Sequence, residues 1–551
     1  MTRSGHPDAT TAPSTGTAGA SITVAALVAE RLAAAGVSDL FGMPGGGSSV
    51  ELIDAWVGSG RHFVLAHTET GGALMASAQA EVGERLGACL ATLGPGAASI
   101  MNGVAHAQLD RVPLLVLTER HPDSVAAIAS HQTIDQRAMF GAVTKSSRPL
   151  TARGAAEELD VAIARALDGP PGPVHLDWPP DVATASIVSK ATPGRPLVNA
   201  DSIEGPVDRV LRRSRRPLLL VGLAARRDRD ALAIRALCEK LGIPALLTYK
   251  AKGVLPDDHK WMAGVLTHGA LERSVVESAD VLIGVGLDPV ELLPRPWSYA
   301  QPFVSCMPWR LTQQQLPIAA AVTGDISTAL LMLEAHLPSQ TDWDVDAVAG
   351  LVAAQRDALR AASSSTLGPN DVIDAALEVF GSDRSLCIDA GAHMFAAMGL
   401  WPATRPRQLV ISNGLSTMGF SLPAAIGIEL LHPGSRTVAL IGDGGLLMCL
   451  GELRTASAER LPIRVVVFDD GALSLIRIKQ LARGLEPHAT GITGIDWAGV
   501  ARGLGVATFT ASNRLGLERA LRDADVVDGP ALVAVRVDPD PYRRLIAALR
   551  G

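Results

Sequence analysis

Short apolar runs recur along the chain, each closing on glycine, proline or an acid, with segments of helical period between them. VAALVAERLAAAGV (24–37) has apolar residues at helical spacing and stops near Gly36. DLFGMPGGG (39–47) is a short strand followed by a flexible glycine turn, and GACLATLGPGAA (87–98) and VPLLVLTE (112–119) are buried strands running into loops. The same alternation returns in RRPLLLVGLAA (215–225), IPALLTYKAKGVLP (243–256) and ADVLIGVGLDP (279–289), and a third time from GPNDVIDAALEVF (368–380) onward. Strands alternating with helices predict an α/β protein built from doubly wound parallel sheets. The proline-rich PPGPVHLDWPPDV (170–182) and the polar SQTDWDVDAV (339–348) divide the chain. The expected units are a tail at 1–20 and three domains at 21–190, 200–340 and 366–551, the first and third resembling copies of one architecture.

Two neighbouring runs end in acids. VALIGDGG (438–445) and RVVVFDDG (464–471) flank LLMCLGELRTASAERLP (446–462), which reads as one amphipathic helix stopped by Pro462. Strand, helix and strand make a βαβ unit, so the two strands are parallel and both acid-bearing turns leave the same carboxyl edge of the sheet. Ligands bind at that edge in open α/β sheets. Two carboxylates at close range repel unless a proton or cation lies between them. Oxygen ligands suit Mg²⁺ or Ca²⁺, and Mg²⁺ keeps places for phosphate oxygens. Gly444 and Gly445 allow close backbone approach beside Asp443, so the pattern describes a metal-bridged diphosphate.

Composition narrows the class. The 551 residues exceed what one core supports, and 48% hydrophobic against 19% charged residues allows a large interior. A net charge of −7 with interspersed signs gives no reason to expect nucleic acid or an acidic membrane as partner. The basic RVLRRSRRP (209–217) reads as a linker or helix end before a strand. Five scattered cysteines without CxxC spacing argue against a disulfide framework or zinc site and fit a reducing cytoplasm. Residues 1–20 lack an apolar core and read as a disordered tail instead of a signal peptide, and no run is long enough to span a membrane.

The segment 442–480 resembles the thiamine-diphosphate signature of the acetohydroxyacid (acetolactate) synthase and pyruvate oxidase type of enzyme. By that resemblance Asp443, the side chain of Asp470 and the carbonyl of Ala472 hold Mg²⁺ against the diphosphate, with Gly442, Gly444 and Gly445 around it. Asp470 stands where the family usually has asparagine. ISNGLSTMGFSLPAAIG (411–427) is similar to the segment whose large apolar residue, here Met418, wedges the cofactor into a bent shape, and the Ser416 carbonyl would accept a hydrogen bond from its 4′-amino group. IDAGAHMF (388–395) is similar to a diphosphate loop, with Gly391 and His393 present and Ala392 in place of a glutamine. The segment from 64 to 96 resembles the one beginning with the catalytic glutamate, which is Glu69, and the family's His-Glu pair stands here as His67-Thr68-Glu69.

The resemblance implies three domains: pyrimidine-binding, central and diphosphate-binding. It implies a dimer or tetramer with active sites between subunits. It also implies a carboligase or lyase that decarboxylates a 2-oxo acid and transfers the enamine carbon to a carbonyl acceptor. The alternatives are a decarboxylase that releases an aldehyde, and a cofactor-binding subunit without turnover. HQTIDQRAMFGAVTK (131–145) is similar to a substrate-pocket loop, with Gln132 at a pocket glutamine and Phe140 and Lys145 nearby. Lys479 replaces the tryptophan that selects the acceptor in the biosynthetic synthases. The central unit lacks GxGxxG, so FAD is admitted by the resemblance but not favoured.

Overall fold

A computed structural model describes residues 21–188, 202–311, 315–360 and 366–550. The tail expected at 1–20 and the divide near 190–200 lie outside the described residues, apart from the few linker positions at either margin.

The chain forms three α/β domains, each around its own sheet. In the first, β1 (Asp39–Gly42), β2 (His62–Leu65), β3 (Gly87–Ala91), β4 (Leu114–Glu119), β5 (Ser147–Pro149) and β6 (Pro173–Trp178) lie in the order β2-β1-β3-β4-β6-β5, all parallel. In the second, β7 (Pro217–Val221), β8 (Ala245–Thr248), β9 (Met262–Leu266), β10 (Val281–Val285), β11 (Phe303–Met307) and β12 (Ile318–Thr323) run in the order β9-β8-β7-β10-β11-β12. One departure from an all-parallel sheet appears here: the short strand Ser202–Glu204 pairs antiparallel with β12 at the edge. In the third, β13 (Leu386–Ile388), β14 (Leu409–Ile411), β15 (Val438–Gly442), β16 (Arg464–Asp469), β17 (Ala507–Ala511) and β18 (Ala531–Arg536) lie in the order β14-β13-β15-β16-β18-β17, all parallel. The first and third sheets therefore share one topology. A two-stranded antiparallel ribbon, Ser21–Thr23 with Ser186–Val188, ties the two ends of the first domain together.

The inner strands are largely apolar because helices cover both faces. Val438–Ile441 and Val465–Phe468 are buried on both sides of the sheet, as are Leu218–Val221 and Leu114–Leu117. The basic stretch at 209–217 proves to be the end of helix Val207–Leu211 and the lead into β7.

The first and third domains do not merely touch. Residues from Phe41 to Phe140 and from Cys387 to Ala534 contribute to a single apolar cluster. At its centre helix α1 (Glu69–Gly83) packs along helix α2 (Ser421–Leu431). A small residue makes this approach close: a Cβ on Gly427 would run into the Met75 carbonyl. Helix α1 is buried from Gly71 to Glu81, which explains its composition of small and apolar residues with no polar stripe.

Candidate active site

The strand order of the third domain decides where its loops converge. The chain runs from β13 out to β14 and returns on the other side of β13 as β15, so the carboxyl ends of β13 and β15 flank a topological switch point. After β13 come Gly391 and, in the first turn of helix Ala392–Leu400, His393; Asp443, Gly444 and Gly445 form the first turn of helix Asp443–Met448 directly after β15, and the loop after β16 carries Asp470. Gly442 pairs with Phe468 in register, which sets Asp443 and Asp470 on adjacent strand ends.

Asp443 is buried and its two oxygens face different loops. Oδ1 accepts from Gly444 N at 2.7 Å and Oδ2 accepts from Gly471 N at 2.8 Å. Burial and then the Asp470 charge push its carboxyl up to about 7. Asp470 is raised to about 6, mainly by burial, although it accepts from Ala472 N at 3.0 Å. Its neighbour Asp469 has a cation nearby, Arg536 at 3.5 Å. Two neighbouring acids, one buried and one half-buried, whose ionisation is disfavoured fit a divalent cation, which would restore the charged forms. Among the described residues no three His, Cys, Asp or Glu side chains form a ready-made metal cage. Two carboxylates and a carbonyl leave the remaining positions to phosphate and water, as Mg²⁺ prefers. The Ala472 carbonyl already accepts from Ser474 N at 2.9 Å, which leaves it one lone pair.

The glycines are required by space. A Cβ on Gly444 would sit 2.8 Å from Leu473 Cδ2 and 3.0 Å from Ile492 Cδ1, with Met418 Cε at 3.4 Å. A Cβ on Gly445 would collide with the Asp389 carboxylate, and one on Gly391 would lie 2.7 Å from the His393 ring. His393 is buried, stacks on Phe468 with ring centroids 5.0 Å apart, and leaves Nε2 without a protein partner. Burial pushes its pKa down to about 4, so the ring is neutral at physiological pH. The single helix expected between the two acid turns is two: Asp443–Met448, a break at Cys449–Gly451, and Glu452–Ala458.

Ser416 and Met418 sit on the loop entering α2. Ser416 holds a left-handed φ of 53°, uncommon for a residue with a side chain, and its hydroxyl donates to the Asn413 carbonyl at 3.0 Å. The far end of the loop is pinned by Asp389, whose carboxylate accepts from Gly419, Phe420 and Ser421 N at 3.0, 2.6 and 3.2 Å.

The first domain builds a matching edge. Glu69 opens α1, with Thr68 as its cap, and its carboxylate lies over the Gly94-Pro95-Gly96 turn, 3.2 Å from where a Gly96 Cβ would stand. Gln132, at φ 57°, is brought against Gly94 in the same turn. Beside them the buried Glu119, at the end of β4, accepts from Gly47 N, Ser49 N and the Thr92 hydroxyl at 3.0, 3.1 and 2.9 Å. Lys479 is separate from this group: it stands exposed on helix Ser474–Ala482. Phe140 and Lys145 serve packing, since Phe140 is buried against His175 at a centroid distance of 3.8 Å and Lys145 Nζ donates to the Asp168 carbonyl at 2.7 Å.

Three family models match in order: the N-terminal TPP-binding domain of thiamine pyrophosphate enzymes over residues 22–139, their central domain over 207–333, and their C-terminal TPP-binding domain over 389–535. The chain belongs to the thiamine pyrophosphate enzyme family. Among curated relatives it is 28% identical to the acetolactate synthase isozyme 1 large subunit of Escherichia coli, with 92% of each chain covered. It is 31% identical to a probable 2-ketoarginine decarboxylase of Pseudomonas aeruginosa, with 94% of each covered, and 26% identical to an acetolactate synthase of Bacillus subtilis, with 93% of each covered. It is thus an acetolactate synthase-like thiamine pyrophosphate enzyme.

For this enzyme, reading the sequence missed Glu119, Asp389 and Glu452. Glu452 is buried and accepts from Thr68 N and its hydroxyl, both at 3.0 Å, so the third domain caps the helix that Glu69 opens. His67 belongs to the same contact: its ring meets the Thr455 hydroxyl at 2.8 Å. Glu452 had no signal in the sequence, since it reads there as the middle of one helix and its partner lies 384 residues away. The five cysteines are free and buried, and no helix among the described residues is long and apolar enough to cross a membrane.

Proposed function

We propose that this enzyme is a thiamine-diphosphate- and Mg²⁺-dependent carboligase or lyase acting on a 2-oxo acid. The observation that carries the reading is the pair Asp443, buried, and Asp470, half-buried, on adjacent parallel strand ends beside the switch point with glycines on either side. Asp443, Asp470 and the Ala472 carbonyl would hold the metal, with Gly442, Gly444 and Gly445 leaving room for the diphosphate. His393 would face the diphosphate with the ring nitrogen that has no protein partner. The Ser416 carbonyl would accept from the 4′-amino group, and Met418 would support the bent cofactor. Glu69 would hold a proton at pyrimidine N1′. When bound, thiamine diphosphate supplies the electron sink for cleaving the bond beside the 2-oxo group.

The working unit in this reading is a dimer or dimer of dimers. Apolar side chains are exposed beside both halves of the site: Leu447 and Met448 after Asp443, and Leu65 and Ile128 on the edge of Glu69. A second copy would cover them and bring Glu69 to the partner's diphosphate domain. The five buried thiols support a place in the cytoplasm.

The sheet order of the central domain is the one that binds dinucleotides in other proteins. Here the crevice between β7 and β10 is occupied from within. Glu291 accepts from Leu223 N at 2.8 Å and from the Thr248 hydroxyl at 2.5 Å, and a Cβ on Gly222 would lie 2.5 Å from Leu287 Cα. With Glu291 already holding that amide and hydroxyl, a dinucleotide's phosphate would find them taken, which favours an enzyme that works without FAD.

A simple decarboxylase is the second reading, and one observation favours it. The relative named a probable 2-ketoarginine decarboxylase, 31% identical to this chain, points to a 2-oxo acid larger than pyruvate. Gln132 would line the substrate side, and Lys479 would meet an anionic acceptor only after a partner or loop closes over it. Retention of Glu69, Met418 and the acid pair speaks against an inactive subunit. The deciding experiment incubates apoprotein, thiamine diphosphate and Mg²⁺ with pyruvate and a panel of larger 2-oxo acids, following CO₂ and identifying products by mass. A coupled product establishes the carboligase and aldehyde alone the decarboxylase. No cofactor-dependent CO₂ from any member of the panel would overturn both.

A further inference from the structure

Beneath the cofactor loop lies a group of buried charges that the reaction itself does not use. Lys250, from the central domain, is fully buried, and its ammonium meets three oxygens: Glu81 Oε1 at 2.6 Å, Asp110 Oδ2 at 2.9 Å and the Ile411 carbonyl at 3.1 Å. Glu81 also pairs with the buried Arg226. Asp110, in turn, reaches into the third domain, where Oδ1 accepts from Gly414 N at 2.7 Å and Oδ2 from Asn413 N at 3.1 Å. Next to it, buried His106 meets the Ser412 hydroxyl at 3.0 Å, and that hydroxyl accepts from Thr417 N at 3.1 Å. All three domains meet here. Burial pushes both acids up, and the cations beside them more than offset it: Lys250 and then Arg226 hold Glu81 at about 2, and chiefly Lys250 holds Asp110 below the usual carboxylate value.

We infer that Lys250 and Asp110 are positioning residues for the loop that presents Ser416 and Met418, so that the central domain sets the geometry of the cofactor site without touching the cofactor. The loop has two anchors. Asp389 holds its exit from within the third domain, and Asp110 holds its entry from the first. Between them Ser416 keeps its left-handed backbone, and its hydroxyl bonds to Asn413, itself one of the residues Asp110 holds. Gly414 shows how tight the entry is, since a Cβ there would sit 2.7 Å from Leu109 Cβ. An acid buried under two amides holds them only while it is ionised, and Lys250 is the charge that keeps it so. The inference rests on the reading of this loop as the cofactor loop.

The test uses the double variant Lys250→Met/Asp110→Asn, which removes one charge of each sign and leaves the Glu81–Arg226 pair balanced. The control is Lys252→Met, which breaks a similarly buried pair to Asp257 at the boundary of the central and third domains, away from the loop. Two quantities are read: amide hydrogen exchange of the 409–420 segment in the full-length apoprotein, and the affinity for thiamine diphosphate with Mg²⁺ by fluorescence quenching. The double variant is expected to exchange that segment at least tenfold faster and to bind the cofactor at least tenfold more weakly, while the control changes melting temperature alone. Unchanged exchange and affinity in the double variant, or equal changes in the control, would overturn the positioning. A wild type that binds no thiamine diphosphate would instead overturn the assignment of the loop, whatever the exchange rates.

Discussion

Glu69 and Glu291 are both glutamates near the carboxyl edge of a parallel sheet, yet their surroundings give them opposite duties. Glu69 is half-buried over a glycine turn and open on one side. Replacing it by glutamine keeps the shape but removes the proton-holding carboxyl, so kcat should fall by roughly 100-fold or more with the melting temperature unchanged. Steady-state rates and calorimetry on the same preparation check this. Glu291 is sealed, and burial raises its pKa from 4.5 to about 8 against the pull of Thr248 and Leu223. The sign follows from linkage. With the folded pKa above the unfolded one, the group's contribution to stability is full below 4.5 and is lost as pH rises through about 8. Glu291→Gln mimics the protonated form, so its unfolding free energy, measured by denaturant titration, should fall less than the wild type's across that window. A slope identical to the wild type's would mean that Glu291 is ionised in the folded protein.

At the scale of elements, the site is made by strand ends, and the glycines there are spatial requirements. Gly445→Ala would drive a methyl group into Asp389, whose oxygens hold three amides at the start of α2. A loss of about 1–3 kcal/mol in unfolding free energy is expected, together with weaker cofactor binding. A variant as stable as the wild type would mean that Asp389 can step aside. Much at this scale was legible beforehand. Apolar runs closing on GDGG and DDG identified the two strands and their shared edge, because a strand's burial and its terminating glycine are local properties. The helix between them was read as continuous and is broken at Cys449–Gly451. The break turns Glu452 toward Thr68, and a contact between domains, not helix periodicity, decides it.

At the scale of the molecule, the exposed Leu447 and Met448 beside the acid pair mark the face expected to meet a second copy. Met448→Glu should weaken self-association at least tenfold in sedimentation equilibrium and make specific activity fall on dilution, while the fold of each chain survives because the residue is exposed in it. Retention of the wild-type assembly would remove this face from the interface. The two outer domains share a core within one chain, and the central domain is fastened to both through Lys250 and Arg226. A local change in the central domain therefore has a direct route to the cofactor loop.

The sequence by itself determined the α/β class, the division into parallel-sheet domains, the acid pair and the glutamate at the head of α1. Each depends on a short stretch whose pattern is set by period, burial and turn chemistry. Tertiary structure alone decided that Glu452 caps the Glu69 helix, that Asp389 and Asp110 hold the two ends of the Ser416 loop, and that Lys250 neutralises Asp110. It also decided that Lys479 is exposed within one chain and that Phe140 and Lys145 pack against His175 and the Asp168 carbonyl. Such roles belong to pairs of residues hundreds of positions apart. Nothing in the local sequence around Asp110 announces an amide 303 residues away, because the free energy of a buried charge depends on what the folded chain brings to it.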